Sequence, residues 1–448
     1  MQDLLNQING VVWGAPTLWL IGLTGAYLML GLRFMPLRRI GFAIRETLRS
    51  IGNSSGEGDV SAFSSLMTAL AATIGTGNVA GVAGAISVGG PGSVFWMWLI
   101  ALVGMATKYA ESLLAVHYRE VDELGEHVGG PMYVIRNGLG KQWGWLAVLF
   151  ALFGTLAGFG IGNGVQAHEL AKALNVSLGI PPLLSGVVMA AITFGVIIGG
   201  IERIGRVASA VVPFMAVIYV GGSATILLAH LGEIPAALAL ILSDAFNAQA
   251  LAGGALGVMI QKGIARGVFS NEAGLGTAPI AQAAAKPGDP VLQGSVAMLG
   301  TFIDTIIVCT MTALVIVTSG AWLPIEGSDP LTGVALTMAA FDWGLPGGAW
   351  LVTFGTVFFT ATTILGWGYY SERCLEFLAG VRAIKAFRLV WVAVVVLGAV
   401  ASFDLIWTIA DILNALMALP NLIALLLLSA TVFRLTRSYD FQSARSRD

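Results

Sequence analysis

Between Lys141 and Glu169 the chain carries no aspartate, glutamate, lysine or arginine, and stretches of this kind recur from one end to the other. An apolar run of about 20 residues is what an α-helix needs to cross the hydrocarbon core of a bilayer. Backbone amides and carbonyls in that core have no water to bond, so such runs must close their hydrogen bonds internally as helices. Roughly eleven runs qualify, at approximately 11–32, 60–88, 91–117, 143–172, 181–200, 206–230, 250–285, 293–319, 347–378, 384–403 and 406–433. Charged residues make up 11% of the 448 positions, against about 25% in soluble domains. The chain reads as an all-α polytopic membrane protein with a single membrane domain over 1–448.

Loop charges orient it. With the N-terminus outside, the first cytoplasmic loop receives Arg33, Arg38, Arg39, Arg45 and Arg49. Later cytoplasmic loops receive Arg119, Arg136 and Lys141, then Arg203 and Arg206, then Lys286, then Arg373, Arg382, Lys385 and Arg388. The tail, 434–448, carries Arg434, Arg437, Arg445 and Arg447. The opposite loops hold Glu233 and Asp244, or Glu326, Asp329 and Asp342, with Lys172 the exception. Positive charge collects inside, so the expectation is an inner-membrane protein with N-out and C-in termini. The first apolar run lacks a basic leader and a small-residue cleavage site and reads as a retained helix. The segment 233–245 is amphipathic and too short to span. No basic patch suggests nucleic acid. Cys309 and Cys374 make no metal spacing and read as buried thiols, and His117, His127, His168 and His230 show no metal spacing either.

Two runs are broken by residues that a helix tolerates poorly. Thr73-Ile74-Gly75-Thr76-Gly77-Asn78-Val79-Ala80-Gly81 interrupts the 60–88 run, and Gly267 to Thr277, with Ser270-Asn271-Glu272-Ala273-Gly274 at its centre, interrupts 250–285. Unwound backbone at membrane depth must line a protein cavity. Gly154, Gly158 and Gly162 instead have the small-xxx-small spacing of close helix packing. Setting aside the extra helix at 11–32, the breaks fall in the first helix of each set of five, 60–230 and 250–433. Five-plus-five inverted repeats with paired broken helices are a transporter plan. Freed amides at a half-helix N-terminus favour a carboxylate, and freed carbonyls favour a cation or an ammonium. A zwitterionic amino acid travelling with a cation satisfies both.

GTGNVAGVAGAISVGGPGSVFWMW at 75–98, GIARGVFSNEAGLGTAPIAQAAA at 263–285, GGPMYVIRNGLG at 129–140 and Thr362-Thr363 before Gly366-Trp367 resemble the signatures of the alanine or glycine:cation symporter family. The resemblance runs over nearly the whole chain. It implies a LeuT-type fold and a carrier for alanine or glycine coupled to sodium, with proton coupling as the alternative, and no other cofactor. It implies that the carbonyls of Ala71, Ile74 and Phe359 and the hydroxyls of Thr362 and Thr363 meet sodium, an oxygen-only set suited to a hard cation. The Thr76 and Gly77 amides would meet the solute carboxylate. Asn78, Phe269 and Ser270 would line the pocket, with Asn271 and Gly274 nearby. Gln166 would hydrogen-bond the solute, and Trp367 would either wall the pocket or serve as an ordinary core aromatic.

The remaining buried charges have plainer readings beside these. Glu272 either binds a cation or proton, or props the break open by accepting from freed amides. Asp304 is open in the same way. Lys108 and Glu111, three apart on one helix, read as an internal pair. Lys262 and Arg266 need a partner such as Glu272 or a wet cavity, and Asp411 pairs or lines a vestibule. A channel would need repeated filter elements around an axis, and the two breaks belong to one chain. HExxH and GxxxxGK[ST] are absent and no Ser-His pair lies on plausible facing helices, so the chain reads as neither an intramembrane hydrolase nor an ATP-driven pump.

Overall fold

The computed structural model describes residues 2–52, 56–246, 255–324, 329–401 and 403–441. Glu326, Arg445 and Arg447 fall outside them. Helices α1 (Gln2–Val12) and α2 (Ala15–Gly31) come first, with the chain extended at Gly14 between them. The first broken helix is α3 (Ala62–Thr73) and α4 (Val82–Gly89), joined through a π-helical stretch at Gly77–Gly81. Then follow α5 (Ser93–His117), α6 (Gly144–Ala157), α7 (Val165–Leu178), α8 (Pro182–Ile197) and α9 (Gly200–Ala229). The second broken helix is α10 (Ala255–Asn271) and α11 (Ala278–Ala283). After it come α12 (Pro290–Thr301), α13 (Thr310–Ser319), α14 (Gly333–Gly344), α15 (Gly348–Ala379), α16 (Ile384–Val400) and α17 (Phe403–Leu427).

Among the described residues, eight helices are long and apolar enough to cross a membrane, and the bent pair at the first break makes a ninth. The 16-residue α8 is apolar and falls short on length alone, whereas the interrupted α10–α11 is short and also carries Lys262 and Arg266. The share of each span buried by protein sorts centre from rim: 83% for α5, against 33% for α9 and for the span containing α16. The central helix packs on α12, α10, α2 and α11, and so touches both halves of the second broken helix.

Local chemistry sets the ends that matter. Ser61 caps α3 by accepting from the Ser64 amide at 3.1 Å. Asp289 caps α12 through the Val291 and Leu292 amides at 2.9 and 3.0 Å, with Pro290 at the first helical position. Val60 and Ser61 pair in parallel with Ala285 and Lys286, which ties the entry of α3 to the exit of α11. On the same face, a hairpin pairs Glu120 with Val128 and Val121 with His127. It is latched by His127 to Asp59 at 2.7 Å and by Arg373, which pairs with Asp122 at 3.1 Å, with Glu376 at 2.7 Å and with Glu126.

The predicted 320–346 loop contains a helix, α14. Its 12 residues are apolar but too few to span, and Thr337 donates to the Val79 carbonyl at 3.1 Å, so it folds back onto the first break. The packing reading of Gly154, Gly158 and Gly162 holds. A Cβ at these positions would lie 2.7 Å from Cys374 Sγ, 1.8 Å from Ser371 Oγ and 2.1 Å from Trp367 Cβ, all on α15.

Candidate functional site

The first break opens where Ile74 leaves the helix with ψ 94. Its freed groups turn to side chains. The Gly75 amide donates to Asn78 Oδ1 at 2.9 Å, and the Thr76 amide donates to Gln166 Oε1 at 3.2 Å. Gln166 Nε2 donates in return to Thr76 Oγ1 at 3.1 Å and to the Ile161 carbonyl at 2.9 Å. Glycine is required here by close approach. A Cβ on Gly75 would stand 2.6 Å from Thr363 Oγ1, and one on Gly77 would stand 2.9 Å from Ser270 Cα. Thus the two breaks, far apart in sequence, touch backbone to backbone.

Beside the first break, Thr363 Oγ1 donates to the carbonyl of Ala71 at 3.0 Å and lies 3.4 Å from that of Ile74. Three of the predicted cation oxygens therefore converge. Thr362 turns its hydroxyl to its own helix, at 3.0 Å from the carbonyls of both Phe358 and Phe359. Among the described residues no group of three His, Cys, Asp or Glu side chains could hold a metal ion; this seam offers neutral oxygens only.

The second break runs from Glu272 (φ 57) through Gly274 (φ 96) and Gly276 (φ 77). Positive φ at three positions so close together ends the helix and points the amides of Gly274 and Gly276 inward. They donate to Glu111 Oε1 at 3.0 and 3.2 Å, and Asn421 Nδ2 donates to the same oxygen at 2.6 Å and to the Gly274 carbonyl at 2.9 Å. One of the two readings of Glu272 had it accepting from freed amides. It accepts instead from Thr277 Oγ1 at 2.5 Å and from the Trp367 indole at 2.6 Å. The expected Lys108–Glu111 pair acts through charge and without a direct hydrogen bond: the two interact electrostatically, while the Lys108 ammonium has no hydrogen-bond partner among the described residues. Backbone N–H groups that cannot reach water take the hydrogen bonds of the carboxylate.

Asp304 joins the breaks. Its carboxylate accepts from Asn78 Nδ2 at 2.7 Å, from Ser270 Oγ at 2.8 Å and from Thr305 Oγ1 at 2.7 Å. Asn271 reaches Thr305 Oγ1 at 3.1 Å and also accepts from the Ala273 amide. Asp304 and Cys309 lie in a π-helical stretch, Phe302–Cys309, and Gly158–Gly164 beside Gln166 is another. With Gly77–Gly81, three such stretches face one site, and π-bulges concentrate at functional sites. Trp367 sits against Gly162, in the seat that the missing Cβ leaves.

Phe269 stacks on Trp407 at 4.7 Å. Trp407 in turn lines a cavity of about 540 Å³ together with Ala80, Gly81, Lys262, Arg266 and Asp411. Arg266 pairs with Asp411 at 3.0 Å and lies 4.5 Å over the Trp407 ring, so its partner is Asp411 and not Glu272. Asp411 both pairs and lines the vestibule. Glu111, Asn421, Trp407 and Asp304 were not assigned to the site from sequence; for all but Trp407 the signal available was a buried ionisable or amide group inside an apolar run.

Replacing Glu111 tests the prop. Glu111→Leu leaves the Gly274 and Gly276 amides without an acceptor, at about 1–3 kcal/mol each, so the melting temperature in detergent should fall by several degrees. Glu111→Gln keeps a carbonyl oxygen and should recover most of that loss. Equal melting temperatures for the Leu variant and the wild type would refute the assignment.

Comparison with known proteins gives three findings. Residues 1–448 match the model described as the sodium:alanine symporter family. The "Sodium/alanine symporter AgcS" of Methanococcus maripaludis is 49% identical over 443 residues, covering 98% of this chain and 97% of that one, and an "Uncharacterized transporter" of Haemophilus influenzae is 49% identical over 446 residues, covering 98% and 96%. Among solved structures, that of MhsT in complex with L-phenylalanine superposes with a TM-score of 0.63 over 86% of this chain and 94% of that one; at 14% identity this speaks to the fold, which is LeuT-type.

Proposed function

We propose, from the premise that the chain belongs to the sodium:alanine symporter family, that this sodium-coupled amino-acid symporter takes up alanine or glycine by alternating access. The observation that carries the reading is the contact of the two broken helices, Gly77 against Ser270, where the backbone of both has left the helical ladder and turned to side chains. Family membership makes it a multi-pass transporter and not an enzyme.

In this reading the solute carboxylate sits on the amides of Thr76 and Gly77. Gln166 Oε1 now accepts from the Thr76 amide, so a carboxylate oxygen would replace one acceptor by another and leave no donor unsatisfied. Gln166 would then be released to hold the solute. Asn78, Ser270 and Asn271 bound the polar end, Gly274 lies beyond them, and Phe269 closes the vestibule side with Trp407. Trp367, seated on Gly162, limits the space for the solute side chain; a bulky wall there favours alanine and glycine over larger residues.

Sodium would lie between the carbonyls of Ala71, Ile74 and Phe359 and the hydroxyls of Thr362 and Thr363. A threonine that donates to a helix carbonyl keeps its lone pairs, so Thr362 can serve without turning. Because the seam joins α3 to α15, the cation would hold the first break against the rest of the bundle, and its loss would let them part. Residues 60–230 and 250–433 would form the two inverted repeats after the helix at 11–32, with the N-terminus outside the inner membrane and the tail 434–448 inside.

Uptake of labelled alanine into proteoliposomes tests the coupling. An inward sodium gradient should drive accumulation, and choline in its place should abolish it. Uptake that persists in choline and collapses with a protonophore would make the carrier proton-coupled. A competition panel of amino acids should show alanine and glycine inhibiting and leucine not.

A further inference from the structure

On its membrane-facing side the bundle carries a groove of about 760 Å³ between α1, α2, α5 and α10. Its walls are apolar, with Leu18, Leu23, Leu99, Val103 and Ile264 among them, and Gly10, Gly14 and Gly22 make room by having no side chain. Trp19, 66% exposed, stands beside it on a helix that the sequence places in lipid. A groove of this character excludes water and accepts hydrocarbon.

At Gly10, Trp13 and Gln261 the groove runs into a second pocket of about 310 Å³ with opposite chemistry. There Arg266 is neutralised by Asp411 at 3.0 Å. Lys262 makes no hydrogen bond or ion pair among the described residues, and the buried Oδ1 of Asn9 has no partner there either. A hydrocarbon slot that ends on an unpaired ammonium and an unpaired acceptor matches one kind of molecule. We propose that the groove binds an anionic glycerophospholipid, with an acyl chain along α2 and α5, the phosphate on Lys262 and a head-group hydroxyl on Asn9. A zwitterionic lipid would bring its own cation against Lys262 and Arg266 and bind less well.

The place gives the lipid leverage. Gln261 donates to the Trp13 carbonyl at 3.0 Å, and the Trp13 indole donates to the Asp411 carbonyl at 2.8 Å. The junction of α1 with α10 and α17 is therefore also the junction of groove and vestibule. A lipid seated there holds α10, which carries both Arg266 and Phe269, against α1 and α2.

Native mass spectrometry of the full-length protein in detergent, with phosphatidylglycerol or phosphatidylcholine of the same chains, tests this apart from transport. Wild type should retain phosphatidylglycerol about fivefold better, the worth of one lysine on an anionic head group. Lys262→Gln should erase that preference. Gly22→Leu, whose Cβ would meet nothing within 4 Å, fills the slot and should reduce retention of both lipids; Gly257→Leu, equally unobstructed, serves if the first variant misfolds. Equal retention of the two lipids by wild type, an unchanged preference in Lys262→Gln, or undiminished binding in the groove-filling variant would each overturn the proposal.

Discussion

Gly77→Val should abolish uptake while the protein still folds and reaches the membrane. The added Cβ would lie 2.9 Å from Ser270 Cα, where no atom can give way cheaply because the neighbour is backbone. The breaks must separate, and overpacking of this kind costs about 1–3 kcal/mol, which a bundle this size survives. What it does not preserve is the spacing of the amides around the solute, and misplacement of about 1 Å costs roughly a hundredfold in rate in comparable polar sites. Thr76→Ala is the control. It keeps the backbone amide and removes only the hydroxyl that accepts from Gln166 Nε2 at 3.1 Å, a loss of about 1 kcal/mol or roughly fivefold. A larger defect in Thr76→Ala than in Gly77→Val would mean that the hydroxyl, and not the amides, holds the carboxylate.

Thr363→Val should raise the sodium concentration for half-maximal uptake by about tenfold or more, with the limiting rate at saturating sodium much less affected. Valine keeps the shape and removes the oxygen that bonds the Ala71 carbonyl at 3.0 Å and lies 3.4 Å from that of Ile74. Contacts of a neutral oxygen with a charge are worth about 1.5–3 kcal/mol, which sets the expected factor. Thr362→Val should act in the same direction but less strongly, because its hydroxyl is already shared with the Phe358 and Phe359 carbonyls. Sodium dependence unchanged in Thr363→Val, measured as uptake against sodium at fixed alanine, would remove the cation from this seam.

Both predictions rest on residues that can be picked out in the sequence. Gly75, Gly77 and Asn78 stand out because so dense a cluster of helix breakers in a lipid-spanning run goes beyond what helix packing needs, and the pair Thr362-Thr363 stands out through the family motif. Less legible was what supports them. Glu272 was visible as a buried carboxylate near freed amides, yet the amides of Gly274 and Gly276 belong to Glu111, and Glu272 belongs to Thr277 and Trp367. Spacing on one helix suggested Lys108 for Glu111; the two do interact by charge, but the hydrogen bonds of Glu111 go to an unwound backbone that the spacing could not reveal. The helix Gly333–Gly344 was hidden because it is too short for a spanning signal.

The sequence by itself determined the solvent, the helical class, the two places where helices fail and the family, because each is written in local composition or in a contiguous motif. Partnership was decided only by the tertiary structure. Asn78 and Asp304 are 226 positions apart and Glu111 and Asn421 are 310 apart, and no periodicity links residues at such distances. In a lipid solvent every polar group freed by a break must find a protein partner. Which partner it finds depends on how α5, α10, α17 and the Phe302–Cys309 stretch pack around the breaks.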